Sequence, residues 1–162
     1  MNESGASIYV TSLEEVLWGA FLVALTMAIH GIGVVVTLRA SGALQRRQGG
    51  QSTLRSGIRL LVVATWLLVV ATWLLVVVHL IEVLGWAVFF RLADAFANTS
   101  TAFYYALMQY TTVSSGIHLP DRLRLLGGMI AMSGLLTFAW STSVLLILAR
   151  QFQEQASQPL QE

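Results

Sequence analysis

Three stretches of this chain stay apolar for roughly 20 residues each, the length a helix needs to cross a hydrocarbon layer about 30 Å thick. The first runs from Val16 to Leu38 and holds a single ionisable residue, His30. The second starts at Ile58 and stays apolar as far as Val78 apart from Arg59, and the third runs from Leu125 to Ala149 without a charge. Hydrophobic residues make up 56% of the 162, and charged residues only 10%, where soluble domains carry about 25% charged residues. A soluble globular fold is therefore excluded, and the expected class is an all-α integral membrane protein with three transmembrane helices. The N-terminal region is acidic (Glu3, Glu14, Glu15), has no basic residue before the first span and shows no small-residue cleavage pattern after it, so the first span is expected to stay in the mature protein.

Charge distribution suggests an orientation. Arg39, Arg46, Arg47, Arg55 and Arg59 fall in the connection between the first two spans, which the excess of positive charge in cytoplasmic loops places inside. The N-terminus is then outside, the segment Arg91 to Arg124 faces the exterior, and the C-terminus is cytoplasmic. Residues Ser41 to Ser56 are rich in Gly, Ser, Gln and Arg and read as a polar loop, either a simple topological determinant or a site for anionic lipid headgroups. The chain divides by this pattern into residues 1–57 (N-terminal segment, first helix and basic loop), 58–150, and a short cytoplasmic tail, 151–162. The absence of cysteine excludes disulfides, thiolate metal sites and cysteine nucleophiles.

The second span contains LLVVATW twice in succession, Leu60 to Trp66 and Leu67 to Trp73. A heptad is about two helical turns, so Trp66 and Trp73 share a face and form a packing or lipid-facing stripe. Apolar character resumes after Glu82. A single helix from Ile58 to Phe90 would be about 50 Å long, requiring tilt, projection from the membrane or a bend, for which Gly85 is one place.

Between the second and third spans lies Asn98 to Pro120, whose first part is apolar yet too short to cross a bilayer. Asn98, Thr99 and Ser100 are good helix caps, and Ala102 to Tyr110 would form a short helix before the sequence turns polar. Exposed backbone at membrane depth is allowed only where it lines water or protein, so the segment reads as a re-entrant helix and loop. An ordinary polar connection between two helices is the competing reading.

Thr111-Thr112-Val113-Ser114-Ser115-Gly116 resembles the filter signature TTVGYG of the potassium-channel family. Tyr104 and Tyr105 precede it, as aromatic residues do in that family's pore helix. Leu119-Pro120 and Arg122-Leu123 lead into a glycine-containing span (Gly127, Gly128, Gly134), and Phe138 to Leu145 is similar to the inner helix of small bacterial three-span members. The likeness covers about Ile81 to Ala149 and implies a homotetrameric pore-loop channel, with residues 58–150 as its pore domain. It implies that backbone carbonyls of Thr112 to Ser115 replace water around potassium or sodium, divalent ions being possible too, with the Thr112 hydroxyl at the cavity end. Two departures matter: SSG replaces GYG, and Ile117 and His118 stand where the family has an acidic residue. A left-handed backbone at Ser114 would cost roughly 1 to 2 kcal/mol, and Ser115 cannot brace the filter as the family's tyrosine does. Weak selectivity is therefore expected.

Isolated polar residues complete the candidate site. His79 and Glu82 share a helix face in apolar surroundings, and intramembrane ionisable groups are functional by default. They read as a structural pair in which Glu82 supports the filter, or as a proton or metal sensor formed with His30 or His118. His30, beside Gly31 and Gly33, reads otherwise as a helix contact. In the third span Ser133, Thr137, Trp140 and Val144 fall on one face, which suits a water-filled cavity lined by Ser133, Thr137 and Ser141, although packing produces the same pattern. Gly134 is a gating hinge or a close-contact site, and Gln151 to Glu162 a frayed helix end. No enzyme chemistry, resident cofactor, bound metal or nucleic-acid partner is expected; the expected partners are membrane lipid, permeant cations and further copies of the chain in a cell membrane. The rivals are a non-conducting scaffold or regulatory subunit, and a small transporter or enzyme subunit that uses His79 and Glu82.

Overall fold

The computed structural model describes residues 11–48 and 56–157, with side chains over 11–44 and 62–154. Its elements are α1 (Leu13–Gln48), α2 (Ser56–Leu92), α3 (Thr99–Tyr110), a 3₁₀ turn (Asp121–Leu123) and α4 (Leu126–Ser157). No strand occurs among the described residues, and the fold is all-α. Three segments, Leu13–Leu44, Val62–Leu92 and Asp121–Glu154, are long and apolar enough to cross a membrane.

Local chemistry accounts for the boundaries. Ser12 caps α1 by accepting from the Glu15 N–H at 3.1 Å, and the Asn98 side chain accepts from the Thr101 N–H at 2.7 Å to open α3. Pro120 lies outside the helices, just ahead of the 3₁₀ turn. α2 continues through Gly85 without interruption, and its 37 residues make it about 55 Å long.

One expectation is corrected here. The polar loop Ser41 to Ser56 is partly helical, because α1 continues to Gln48 and α2 begins at Ser56. Ala, Leu, Gln and Arg in that stretch are strong helix formers, and the polar composition did not outweigh them. The remainder of the loop lies outside the described residues, as do the side chains of Arg46, Arg47, Arg55 and Arg59 on which the lipid-headgroup reading rests. At the other end α4 runs on to Ser157, and the first part of the tail is a helix end, as expected.

The chain divides into two compact units that cut across the long helices. The first comprises Met1–Thr26 and Val83–Leu135, the second Met27–Glu82 and Leu136–Glu162. In the first, Trp86, Phe90, Ala102, Tyr105, Ala106 and Tyr110 form a core closed by Leu119, Leu123, Leu126 and Ile130. Phe90 meets Tyr105 edge-on with ring centroids 5.4 Å apart, an arrangement favoured by the ring quadrupoles. The Trp86 indole N–H donates to the Thr26 hydroxyl at 3.0 Å, which in turn donates to the Leu22 carbonyl.

In the second unit Val34, Leu67, Ala71, Leu75, Val144, Leu148 and Phe152 pack together. A Cβ on Gly33 would stand 2.4 Å from a Val78 methyl, so the glycine permits close helix approach. Trp66 and Trp73 are exposed on the surface of the protomer, and their repeat makes an outward stripe.

Candidate functional site

The short helix α3 is held in the first unit by its buried face, Ala102, Tyr105, Ala106 and Tyr110, at the three-and-four spacing of an amphipathic helix. Its C-terminal end is fixed by backbone contact. A Cβ on Gly134 would fall 2.0 Å from the Tyr110 carbonyl oxygen, which makes Gly134 a close-contact position. The Tyr105 hydroxyl lies where a Cβ on Gly127 would stand, at 2.9 Å.

The exit from α3 explains how the filter-like segment begins. Thr112 N–H donates to the Gln109 carbonyl at 2.9 Å and Val113 N–H to the Met108 carbonyl at 2.8 Å, the paired bonds of a Schellman cap. Such a cap puts its turning residue in the left-handed region, and Thr112 has φ 62°. Glycine usually occupies that position, and a β-branched residue there is strained. The left-handed strain expected at Ser114 is thus found at Thr112 instead, because the helix cap, not the glycine pattern of the family motif, sets the backbone.

Beyond the cap the serines serve the loop's own backbone. Ser115 Oγ accepts from the Ile117 N–H at 3.2 Å and lies 3.3 Å from the Ile117 carbonyl, while Gly116 N–H reaches Ser114 Oγ at 3.4 Å. These are the local turns that serine supports. Gly116 has φ 69°, with nothing within 4 Å of its would-be Cβ. Thr111 to Ser114 and Gly116 are exposed; Leu119 and Leu123 then return the chain to the core.

Glu15 is the residue that sequence reasoning missed. It is buried, and its carboxylate accepts a hydrogen bond from the Leu125 N–H at the start of α4. A carboxylate there satisfies an orphan donor and complements the helix dipole. The Ser-x-x-Glu pattern of Ser12 to Glu15 was visible as a capping signal, but the second partner lies 110 residues away. Across the same unit the Arg122 guanidinium donates to the Ala93 carbonyl.

The second unit gathers the isolated ionisable residues. His30 Nδ1 is 2.9 Å from Glu82 Oε1 and His79 Nδ1 is 3.5 Å from Glu82 Oε2. Ser141 Oγ is 3.3 Å from His30 Nε2 and 3.1 Å from His79 Nε2. Phe138 stacks on His79 with ring centroids 4.5 Å apart, and Trp140 lies 5.4 Å from His30.

This geometry revises the sequence reading at two points. His30 is part of a triad with His79 and Glu82, not a simple helix contact. Ser133, Thr137 and Ser141, expected to line a cavity, are buried within the protomer. Ser133 donates to the Ile130 carbonyl at 2.8 Å, and Ser141 faces the histidines. Periodicity showed that these residues share a face, but small hydroxyls suit tight helix contact as well as water. His118 is exposed in the first unit and takes no part in the triad.

Residues 76–151 match the family model described as Ion channel, a span that takes in the end of α2, α3, the filter-like segment and most of α4. Among curated proteins and solved structures there is no match. Together with three helices of spanning length, the match supports an ion channel family and a multi-pass membrane protein.

Proposed function

We propose that the chain is one subunit of a homotetrameric passive cation channel, with Thr111 to Gly116 as the ion path. The observation that carries this reading is the position of that segment: exposed backbone at the C-terminal end of a capped, packed α3, inside the region that matches an ion channel family. The C-terminus of α3 offers about half a negative elementary charge, which favours a cation beside it. One such loop per chain calls for four chains around an axis.

With Ser133, Thr137 and Ser141 buried, the cavity is assigned to the outward face of α4, where Ala139, Thr142 and Leu146 are exposed. Its polar content is low, since Thr142 spends its hydroxyl on the Phe138 carbonyl at 2.8 Å. The serines of SSG bond within the loop and leave it without a tyrosine brace, so the filter discriminates weakly among potassium, sodium and divalent ions. In a cell membrane the N-terminus lies outside and the C-terminus in the cytoplasm, following the arginines between the first two spans.

Ion flux through purified protein in liposomes tests the reading, with potassium, sodium and a divalent cation compared under matched gradients. Wild-type flux is expected, and Gly116→Val should reduce it to background, because a β-branched residue resists φ 69°. A folded tetramer that passes no ion sinks the proposal in favour of a non-conducting scaffold. Undiminished flux in Gly116→Val removes the segment from the ion path.

A further inference from the structure

His30, His79, Glu82 and Ser141 close a ring of four contacts in which each imidazole presents Nδ1 to the carboxylate and Nε2 to the same hydroxyl. All four residues are buried, so the protons can be counted. A neutral imidazole carries one N–H, an ionised carboxylate none, and the hydroxyl one. If both histidines are protonated at Nδ1, two Nε2 lone pairs compete for one hydroxyl proton. If one is protonated at each position, an Nδ1 lone pair faces a carboxylate lone pair. With both protonated at Nε2, Ser141 accepts two bonds, and two Nδ1 lone pairs converge on Glu82. With Glu82 ionised and both imidazoles neutral, three protons serve four contacts and one acceptor faces another, which is costly in a buried site. A fourth proton or a bound cation completes the ring.

We propose that His30, His79 and Glu82 bind a divalent transition-metal ion, with Zn²⁺ the best match, and that Ser141 positions both imidazoles by accepting their Nε2–H groups. The donor set is two imidazoles and one carboxylate, a combination zinc favours. Bonds of about 2.0–2.1 Å in tetrahedral geometry separate neighbouring donors by about 3.3 Å. The Nδ1–oxygen separations here are 2.9 and 3.5 Å, and all three ligand atoms lie within 4.8 Å of one another. Ser141 supplies the outer partner that metal-bound histidines almost always have. Phe138 and Trp140 wall the site with aromatic rings. The side chain of His79 is 11% exposed, those of His30 and Glu82 not at all, so the ion enters past His79. The ligands come from α1 and α2 and the positioning hydroxyl from α4, so a bound ion ties three helices of the second unit together. The inference stands apart from the channel reading.

The experiment is a titration of chelator-stripped, full-length protein in detergent with Zn²⁺, and in parallel with Co²⁺, whose visible absorption reports low-coordinate nitrogen and oxygen ligation. One Zn²⁺ per chain and a higher unfolding midpoint are expected. His79→Ala should abolish binding, Ser141→Ala should weaken it 10- to 100-fold, and His118→Ala should leave it unchanged. Wild-type protein that takes up no more Zn²⁺ than a His30→Ala/His79→Ala double variant overturns the proposal, as does a ring stabilised by acid with no response to metal. If the alanine variants fail to fold, the Co²⁺ spectrum of the wild-type protein decides: visible bands support the site and their absence refutes it. Unaltered affinity in Ser141→Ala removes the positioning role of the serine.

Discussion

The first unit keeps its polar chemistry in exposed backbone, whereas the second hides its own in side chains. Thr111 to Gly116 leave a capped helix and satisfy themselves locally through a Schellman turn and two serine turns. His30, His79, Glu82 and Ser141 have no comparable local solution. Apart from His79 and Glu82, three residues apart on α2, their partners come from different helices, separated by 52 residues for His30 and Glu82 and by 62 for His79 and Ser141. An exposed loop tolerates irregular geometry because water meets any unpaired group, while a buried polar cluster must be matched atom by atom. The two regions therefore respond differently to substitution: the loop through backbone conformation and the helix behind it, the cluster through loss of a partner.

Substitutions at four positions sharpen the contrast, and all four positions lie in the first unit. The largest effect is expected from Gly134→Ala. Its Cβ would press on the Tyr110 carbonyl at 2.0 Å, and backbone gives way poorly, so a destabilisation of about 3 kcal/mol is expected from overpacking. Hydrogen exchange should show the loss in the amides of α3, with the second-unit part of α2 keeping its protection. Equal loss in both units would mean that they unfold as one.

Glu15→Ala removes the acceptor for the Leu125 N–H, and chemical denaturation in detergent should show a cost of about 2 kcal/mol. Glu15→Gln keeps an acceptor and should recover most of it. A smaller loss, about 1 kcal/mol, follows from Asn98→Ala, because only the cap of α3 is removed. The smallest expected change has the opposite sign. Thr112→Gly relieves a β-branched residue at φ 62° and should stabilise the protomer by roughly 0.5 kcal/mol after the added chain entropy of glycine. If it destabilises instead, the cap drawn here is not the one that holds the loop.

The helices were legible in the sequence to within a few residues where composition and caps agreed. Asn98 and the apolar run to Tyr110 marked α3, and the three apolar spans marked α1, α2 and α4. Legibility failed where polar residues with high helix propensity extended a helix past its apolar run, at Ser41 to Gln48. In the candidate site, the Thr111 to Gly116 segment was visible as a motif. His30 was visible only as an oddity, since nothing in linear spacing joins it to Glu82.

The sequence by itself determined that this chain belongs in a bilayer, that it crosses in long helices, and that a short capped helix precedes a polar segment within the region that matches an ion channel family. Those properties follow from local composition, which acts over one or two helical turns. Only the tertiary structure decided that Ser133, Thr137 and Ser141 face inward, that Thr112 carries the left-handed turn, and that His30, His79 and Glu82 meet around one hydroxyl. These depend on how each helix is rotated about its axis. In a helix that is apolar on nearly every side, packing against its neighbours sets that rotation.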